Sequence, residues 1–527
     1  MRGIVRLIGL AGALALVGTL LAAPAAAGRG SAAPQVRRGV VARVHGRPLA
    51  PVLGNSYATS LEVVNAGWRE GSPASGTAAP APSAPSSAFG FDALGDEGFL
   101  PADPTGALGD NWFLTAVNSS YALWRLDGTV EIPATSFGDF DQGSHLDLFD
   151  PKVVYDQYHD TFVLVFLGQS DAPKRSTITV VAIPDATAND QTTWCVRTFE
   201  GDQVGLTPAV WADFPGLGYT ADRVTITTNQ FTFPSTTGAF VSAQVLSIPS
   251  TMLHDCTQTL VADVFSGTRT IEPDGSPAFT IQPAQTVGAA TTDQYMLSFR
   301  RNGPDSFVTV WRIRSAADGS LKLRKTALVV GKTRMPPPGT QAGGSLTDVE
   351  TWWDTGDARL INAFYDVDRG ALYSVHAVSG KLGPDTVTDG YVESVIRWYE
   401  VWPAGRLRRS TMARTGTIGA PETDAAWPSI ASVEAGNVYV TYSRAGQPMS
   451  EFLSAWVAEI APGSTDATPV LVAPGAATYD AIGGVERWGD FTAIGRDPVD
   501  GAYVATFNQY AATTTTFQQR VDVITHA

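Results

Sequence analysis

Five aspartates recur in one local setting along the chain: Asp103 in PADPTG, Asp150 in LFDPKV, Asp213 in WADFPG, Asp348 in LTDVET and Asp490 in WGDFTA. Each stands just before or within a short, partly apolar run of strand type. Carboxylates placed this way can do three kinds of work. They can cap turns and accept backbone amides, tying one structural unit to the next. They can hold a hard cation such as Ca²⁺, for which Asp103, Asp213 and Asp490 are the candidates, although no EF-hand or other dedicated calcium loop accompanies them. Or two of Asp150, Asp213, Asp348 and Asp490 can flank a glycosidic bond as acid and base or nucleophile. Several carboxylates at close range cannot all stay ionised without a cation, an arginine or a shared proton.

Other groups with chemical capacity are few. His376 in ALYSVHAVSG lies on a strand beside the Asp348 repeat and reads as a satisfied core histidine or as an acid/base partner. Arg397 in IRWYE and Arg487 in RWGDF are either stacked structural cations or bidentate binders of a carboxylated sugar. Trp211 and Trp488 flank two of the aspartates and read as wedges between structural units or as platforms for sugar stacking. His159 sits in a hairpin turn and His254 precedes Asp255 and Cys256 on an expected outer strand. No two histidines have zinc-ligand spacing, and neither a GxSxG elbow nor a P-loop is present.

The elements that must position these residues repeat. A strand, an Asp, Asn or Gly turn and a second strand rich in aromatic and branched residues occur in seven copies. They are GALGDNWFLTAVN from Gly106, PKVVYDQYHDTFVLVF from Pro151, PGLGYTADRVTITTN from Pro215, QTVGAATTDQYMLSF from Gln285, VETWWDTGDARLINAF from Val349, PSIASVEAGNVYVTYS from Pro428 and FTAIGRDPVDGAYVATFN from Phe491. A third strand follows most copies, as in STITVVAIP from Ser176, and a fourth follows two of them, LKLRKTALVV from Leu321 and RLRRSTMA from Arg406. The expected fold is therefore all-β, a β-propeller of seven four-stranded blades. The seventh copy ends at QRVDVITHA with three strands, so an N-terminal strand must close the ring; SLEVVN, Ser60 to Asn65, and GVVARVH, Gly39 to His45, are the candidates.

Bulk properties agree. The 527 residues are 44% hydrophobic and only 17% charged, with 52 glycines and 34 prolines, a composition that favours strands and turns. Residues 1–27 combine Arg2 and Arg6, an apolar run and Ala25, Ala26 and Ala27, which reads as a secretory signal peptide. Residues 28–90 read as an N-terminal segment and Pro/Ala/Ser-rich linker, and 91–527 as the propeller. Removing the two signal arginines leaves 34 basic against 51 acidic residues, a net charge of -17 that repels nucleic acid. No later run reaches the roughly 18 apolar residues of a membrane span. The expected protein is secreted, with Cys195 and Cys256 joined in a disulfide.

The ordered set ADPTGALGDNWFLTAVN, FDPKVVYDQYHDTFVLVF, WADFPGLGYTADRVTITTN, LYSVHAV followed by IRWYEVW, WPSIASVEAGNVYVTYS and RWGDFTAIGRDPVDGAYVATFNQYA resembles a group of secreted bacterial β-propeller proteins, mostly uncharacterised, over most of the chain from about Leu100. The resemblance implies fold and export and supplies no catalytic residue. A more distant similarity is to sialidases: TANDQTTW, Thr187 to Trp194, is a degenerate echo of their Asp-box, while their Arg-Ile-Pro motif is missing. The expected function is binding of an extracellular polysaccharide or cell-surface glycan at a carboxylate-rimmed face. The alternatives are glycoside hydrolysis or polysaccharide lysis at that face, or a protein-interaction scaffold engaging a cell-surface protein.

Overall fold

The computed structural model describes residues 36–38, 40–45, 84–96, 98–141, 146–202, 210–258, 260–302, 305–316, 318–383 and 390–526. Residues 1–27 and Ser60–Asn65 lie outside them. Three strands come first: β1 (Val36–Arg38), β2 (Val40–His45) and β3 (Ser86–Gly95). Group one is then β4–β7 (Thr105–Leu108, Trp112–Val117, Ser120–Arg125, Val130–Ser136) and group two is β8–β11 (Asp147–Asp156, Thr161–Asp171, Lys174–Pro184, Cys195–Glu200). Group three is β12–β15 (Val210–Tyr219, Arg223–Thr232, Phe240–Pro249, Val261–Ser266), and group four is β16–β19 (Gln282–Val287, Gln294–Asn302, Asp305–Ser315, Leu321–Gly331). Group five is β20–β23 (Asn362–Asp366, Ala371–Gly380, Glu393–Trp402, Thr411–Ile418) and group six is β24–β27 (Asp424–Ser432, Val438–Gly446, Glu451–Ile460, Ala467–Ala473). Group seven holds β28–β30 (Ala493–Arg496, Val504–Ala511, Phe517–Thr525).

Within each group successive strands pair antiparallel, as short Asp, Asn and Gly turns dictate. The first strand of each group touches the first strand of the next, from β4 through β8, β12, β16, β20 and β24 to β28, and β28 touches β4. Where β12, β16 and β20 meet they pair in parallel. Their approach is close enough that a Cβ on Gly218 of β12 would collide with the Ala284 carbonyl of β16.

Burial follows position within a group. β12, β24 and β25 are buried along their whole length, whereas the fourth strands β7, β19 and β27 are largely exposed or half-buried. Inner strands are covered on both faces by neighbouring groups, which is why they read as continuous apolar runs rather than as alternating ones. Aromatic contacts cross the seams. Phe137 stacks on Phe166 at 4.5 Å between groups one and two, and Phe149 meets Trp211 edge-on at 6.3 Å between groups two and three. Each such burial contributes roughly 1.5 to 3 kcal/mol.

The strand that completes group seven differs from both candidates read in the sequence. It is β3, which pairs antiparallel with β30 from Ser86↔Thr525 to Gly95↔Gln518. β3 begins inside the Pro/Ala/Ser-rich stretch, where SSAFGFDALG offers Phe89 and Phe91 to a pocket formed with Phe113 and Trp124. Val40–His45 instead adds in parallel to the outer strand β15 of group three, and β1 adds in parallel to β11 of group two. The RLRRSTMA segment also shifts: Leu407–Arg409 is a single helical turn and the fourth strand starts at Thr411. Cys195 and Cys256 are disulfide-bonded across groups two and three, with Cα atoms 5.4 Å apart.

Candidate functional site

A backbone feature, rather than an acidic residue, repeats at the entrance to the first strands. Asp103, Asp150, Phe214, Thr280, Ala358 and Trp427 all have positive φ, between 49° and 64°. They serve groups one to six in turn, and at Asp150, Phe214 and Trp427 the strand register slips there, the mark of a β-bulge. A left-handed non-glycine residue costs roughly 1 to 2 kcal/mol, so the surroundings must hold it.

Side chains from adjacent groups do so by accepting the backbone N–H at or beside the bulge. Asn118 Oδ1 accepts from Asp150 N at 2.7 Å, Asp150 Oδ2 from Phe214 N at 3.1 Å and Asn229 Oδ1 from Thr280 N at 2.8 Å. Asn362 Oδ1 accepts from Ile430 N at 3.0 Å, and Asp103 Oδ1 from Asp490 N at 2.7 Å. Asn118 Nδ2 donates to Asp103 Oδ2 at 2.7 Å. A continuous ladder thus runs from group seven through groups one and two to group three.

Three of the sequence-predicted aspartates meet in that ladder. Carboxylate oxygens of Asp103, Asp150 and Asp490 lie within 4.8 Å of one another, an oxygen set that could hold a metal ion. A lysine is buried among them. Lys152 Nζ sits 3.2 Å from the Phe491 ring centroid and 5.7 Å from that of Phe214. Burial pulls its ammonium down to about 7, although Asp103, Asp150 and Asp490 all favour its charge. Burial, reinforced by the Asp490 and Asp150 charges, pushes the Asp103 carboxyl well above the usual carboxylate range.

Around this core runs a partly exposed layer of ion pairs. Arg487 Nη2 donates to Asp490 Oδ1 at 2.7 Å and its Nη1 to Asp354 Oδ2 at 3.2 Å. Arg359 Nε donates to Asp357 Oδ1 at 2.7 Å while its guanidinium stacks 4.2 Å from the Phe214 ring centroid. Beside Arg359 a surface depression too shallow to enclose a water is lined by Asp357, Ala358, Ile361, Trp427 and Pro428 among others. Asp103, Asp150 and Asp490 do not line it.

The remaining sequence candidates lie elsewhere. Asp213 is buried in β12, one residue before the bulge, and its charge acts on Arg359; Asp150, not Asp213, joins Asp103 and Asp490 in the oxygen set. Asp348 is not at the rim at all. It caps the helical turn Val349–Thr351 by accepting from Glu350 N at 3.2 Å, because VETWW turns before the first strand of group five begins. Asp354 and Asp357 hold the acidic positions near that rim. His376 is fully buried, with Nδ1 2.7 Å from the Ala358 carbonyl and Nε2 3.0 Å from Tyr399 Oη. Burial pulls it down to about 3, so it is a neutral core imidazole that supports a bulge and not an acid or base. Arg397 lies on β22, the third strand of its group, opposite His376. Trp211 packs against Phe149 and Phe231, and Trp488 donates Nε1 to Ser443 Oγ at 3.0 Å beneath Tyr479. Both indoles are buried, which excludes sugar stacking on them.

Lys152, Arg359, Asp354 and Asp357 escaped the sequence reading. The signal for Lys152 was available in FDPKVV, a lone lysine inside an apolar first strand. A second group, Asp156, His159 and His254, also brings ligand atoms within 4.8 Å of one another, at the far end of β8.

No protein-family model and no curated protein matches the chain. Among solved structures it is similar to a protein of unknown function from Dyadobacter fermentans, with 13% identity over 72% of this chain and 94% of the other and a TM-score of 0.39. Trypanosoma rangeli sialidase aligns at 10% identity over 77% of this chain and 57% of its own, with a TM-score of 0.34. The polysaccharide lyase Uly1 aligns at 8% identity over 69% and 88%, with a TM-score of 0.32. Similarities of this size assign neither family nor chemistry. No described helix is long and apolar enough to cross a membrane.

Proposed function

We propose that the chain is a closed seven-bladed β-propeller, exported after loss of residues 1–27, whose bulge-rimmed face binds an extracellular polysaccharide or other glycan without cleaving it. The four-stranded groups are then the blades, and β3 is the strand that closes the ring. The observation that supports binding over turnover is the commitment of the carboxylates. Asp103 and Asp150 are buried and hydrogen-bonded to backbone amides of neighbouring groups, and Asp490 is paired with Arg487. A glycosidase needs two carboxyl groups facing one scissile bond across an open cleft.

The ligand class follows from what remains accessible. Arg359 with Asp357, and Arg487 with Asp354, present partly exposed planar donors and acceptors, an arrangement suited to sugar hydroxyls. In this partly exposed layer Arg359 and Arg487 are outnumbered by Asp354, Asp357 and Asp490. That balance favours an uncharged glycan over a sulfated or uronic one. Ca²⁺ at Asp103, Asp150 and Asp490 is a second reading, supported by the 4.8 Å oxygen set; it requires the Lys152 ammonium to give way to the ion.

Calorimetric titration with neutral and anionic polysaccharides tests the reading. Binding of a neutral glycan, weakened about tenfold or more by Arg359→Ala or Asp357→Asn in protein with an unchanged circular dichroism spectrum, is the expected result. Binding unaffected by both variants would place the ligand on another surface. A melting temperature that drops on chelation and recovers with Ca²⁺ would favour the calcium reading.

A further inference from the structure

We propose that Asp156, His159 and His254 form a site for a single divalent transition-metal ion of zinc type at the seam between groups two and three. This seam lies at the end of β8 opposite the bulges, and the site is independent of the glycan-binding face. Asp156 is the last residue of β8, His159 lies in the following turn, and His254 ends the short helix Ser250–His254 that follows β14. Packing of the turn against the helix brings the two histidines together, with rings tilted by 32° and centroids 4.8 Å apart.

The distances suit a tetrahedral ion. Metal–ligand bonds of 2.0 to 2.2 Å require ligand atoms about 3.3 Å apart. Asp156 Oδ2 lies 2.8 Å from His159 Nδ1, a hydrogen bond that an ion would replace, and 3.6 Å from His254 Nε2, values on either side of that separation. The donor set, two imidazole nitrogens and one carboxylate oxygen, selects a borderline ion over Ca²⁺ or Mg²⁺. Two further features indicate a built site. Asp156 is completely buried, and Tyr158 N donates to its Oδ1 at 3.0 Å, leaving Oδ2 directed at both rings. Of the buried ring nitrogens of His254, Nδ1 meets no hydrogen-bond partner and Nε2 faces Asp156 Oδ2 only at 3.6 Å, a weak contact that an ion on Nε2 would replace. The Cys195–Cys256 disulfide and donation from Arg197 Nη2 to the Asp255 carbonyl at 3.2 Å fix the segment that carries His254. Three protein ligands leave a fourth position for water or another donor, and the histidine side chains are 18% and 23% exposed.

The test is calorimetric titration of untagged, chelator-treated protein with ZnCl₂, followed by Co²⁺ substitution. One Zn²⁺ per chain, no competition from Ca²⁺, and a Co²⁺ complex with the visible absorption of four-coordination and imidazole nitrogens in its X-ray absorption spectrum are expected. His159→Gln and His254→Gln, each compared at an unchanged metal-free melting temperature, should weaken Zn²⁺ binding by at least about 100-fold. Absence of stoichiometric Zn²⁺ binding by the folded protein, or Co²⁺ ligation without nitrogen, would overturn the proposal. So would affinity equal to wild type in both variants.

Discussion

At the scale of single residues, two buried groups carry charge states that a surface position would not produce. His376 is held neutral by burial, with a pKa of about 3 against 6.5 for an ordinary imidazole. The unfolded chain therefore binds a proton that the folded chain refuses between those values, and stability falls as pH drops below 6.5. His376→Gln should flatten this acid limb, which is worth about 3 to 5 kcal/mol in the wild type, as read by denaturant midpoints at pH 7 and pH 4. An equal acid limb in wild type and variant would show that His376 is not its source. Lys152 behaves in the same sense at higher pH. Its folded-state value of about 7 lies below the 10.5 of an exposed lysine, so stability rises with pH between the two. Lys152→Met removes this rise and leaves Asp103, Asp150 and Asp490 facing one another. It should cost about 3 to 5 kcal/mol at neutral pH, with a deficit that narrows in acid as Asp103 takes up a proton. A deficit independent of pH would mean that lost packing against Phe491, not charge, dominates.

At the scale of elements, the bulges and the side chains that hold them decide how groups join. The Asn118 side chain touches three partners at once, donating to Asp103 and to the Pro101 carbonyl and accepting from Asp150 N. Asn118→Ala should therefore cost about 1 to 3 kcal/mol, and hydrogen exchange should rise at the Asp150 amide before it rises in β9. Uniform exchange across group two would show that the contact is incidental. This level was partly readable beforehand. PADPTG, FDPKVV and WADFPG share a spacing that exposed Asp103 and Asp150 as equivalent, because proline follows the bulge in both. Asp348 was misplaced because VETWW mimics an apolar strand while its backbone turns and Trp353 bridges Gly339 and Glu486. A lone lysine such as Lys152 carries no spacing signal; only the tertiary packing of groups one, two and seven surrounds it with Asp103, Asp150 and Asp490. His159 and His254 likewise meet through tertiary packing and not through local sequence.

At the scale of the molecule, alternating turns and aromatic strands were sufficient to expect an all-β chain of repeated four-stranded units. The last three-stranded repeat was sufficient to expect an N-terminal partner. Which N-terminal segment fills that place was not decidable from hydrophobicity, since Val40–His45 is the more apolar and yet joins group three, while Phe89 and Phe91 of β3 match the aromatic pocket of group one. Function was the least readable level, because the same recurring aspartates serve a scaffold, a cation or a catalyst until their hydrogen bonds are known. Their commitment to neighbouring groups underlies the central claim that this face binds and does not cut. The most direct test is product release: folded protein incubated with neutral and acidic polysaccharides, with Ca²⁺ or chelator, and assayed for new reducing ends and for the ultraviolet absorbance of unsaturated lyase products. The account predicts no release from any glycan, including one that binds. Release that is abolished in folded Asp490→Asn protein would contradict it and make the carboxylate cluster an active site.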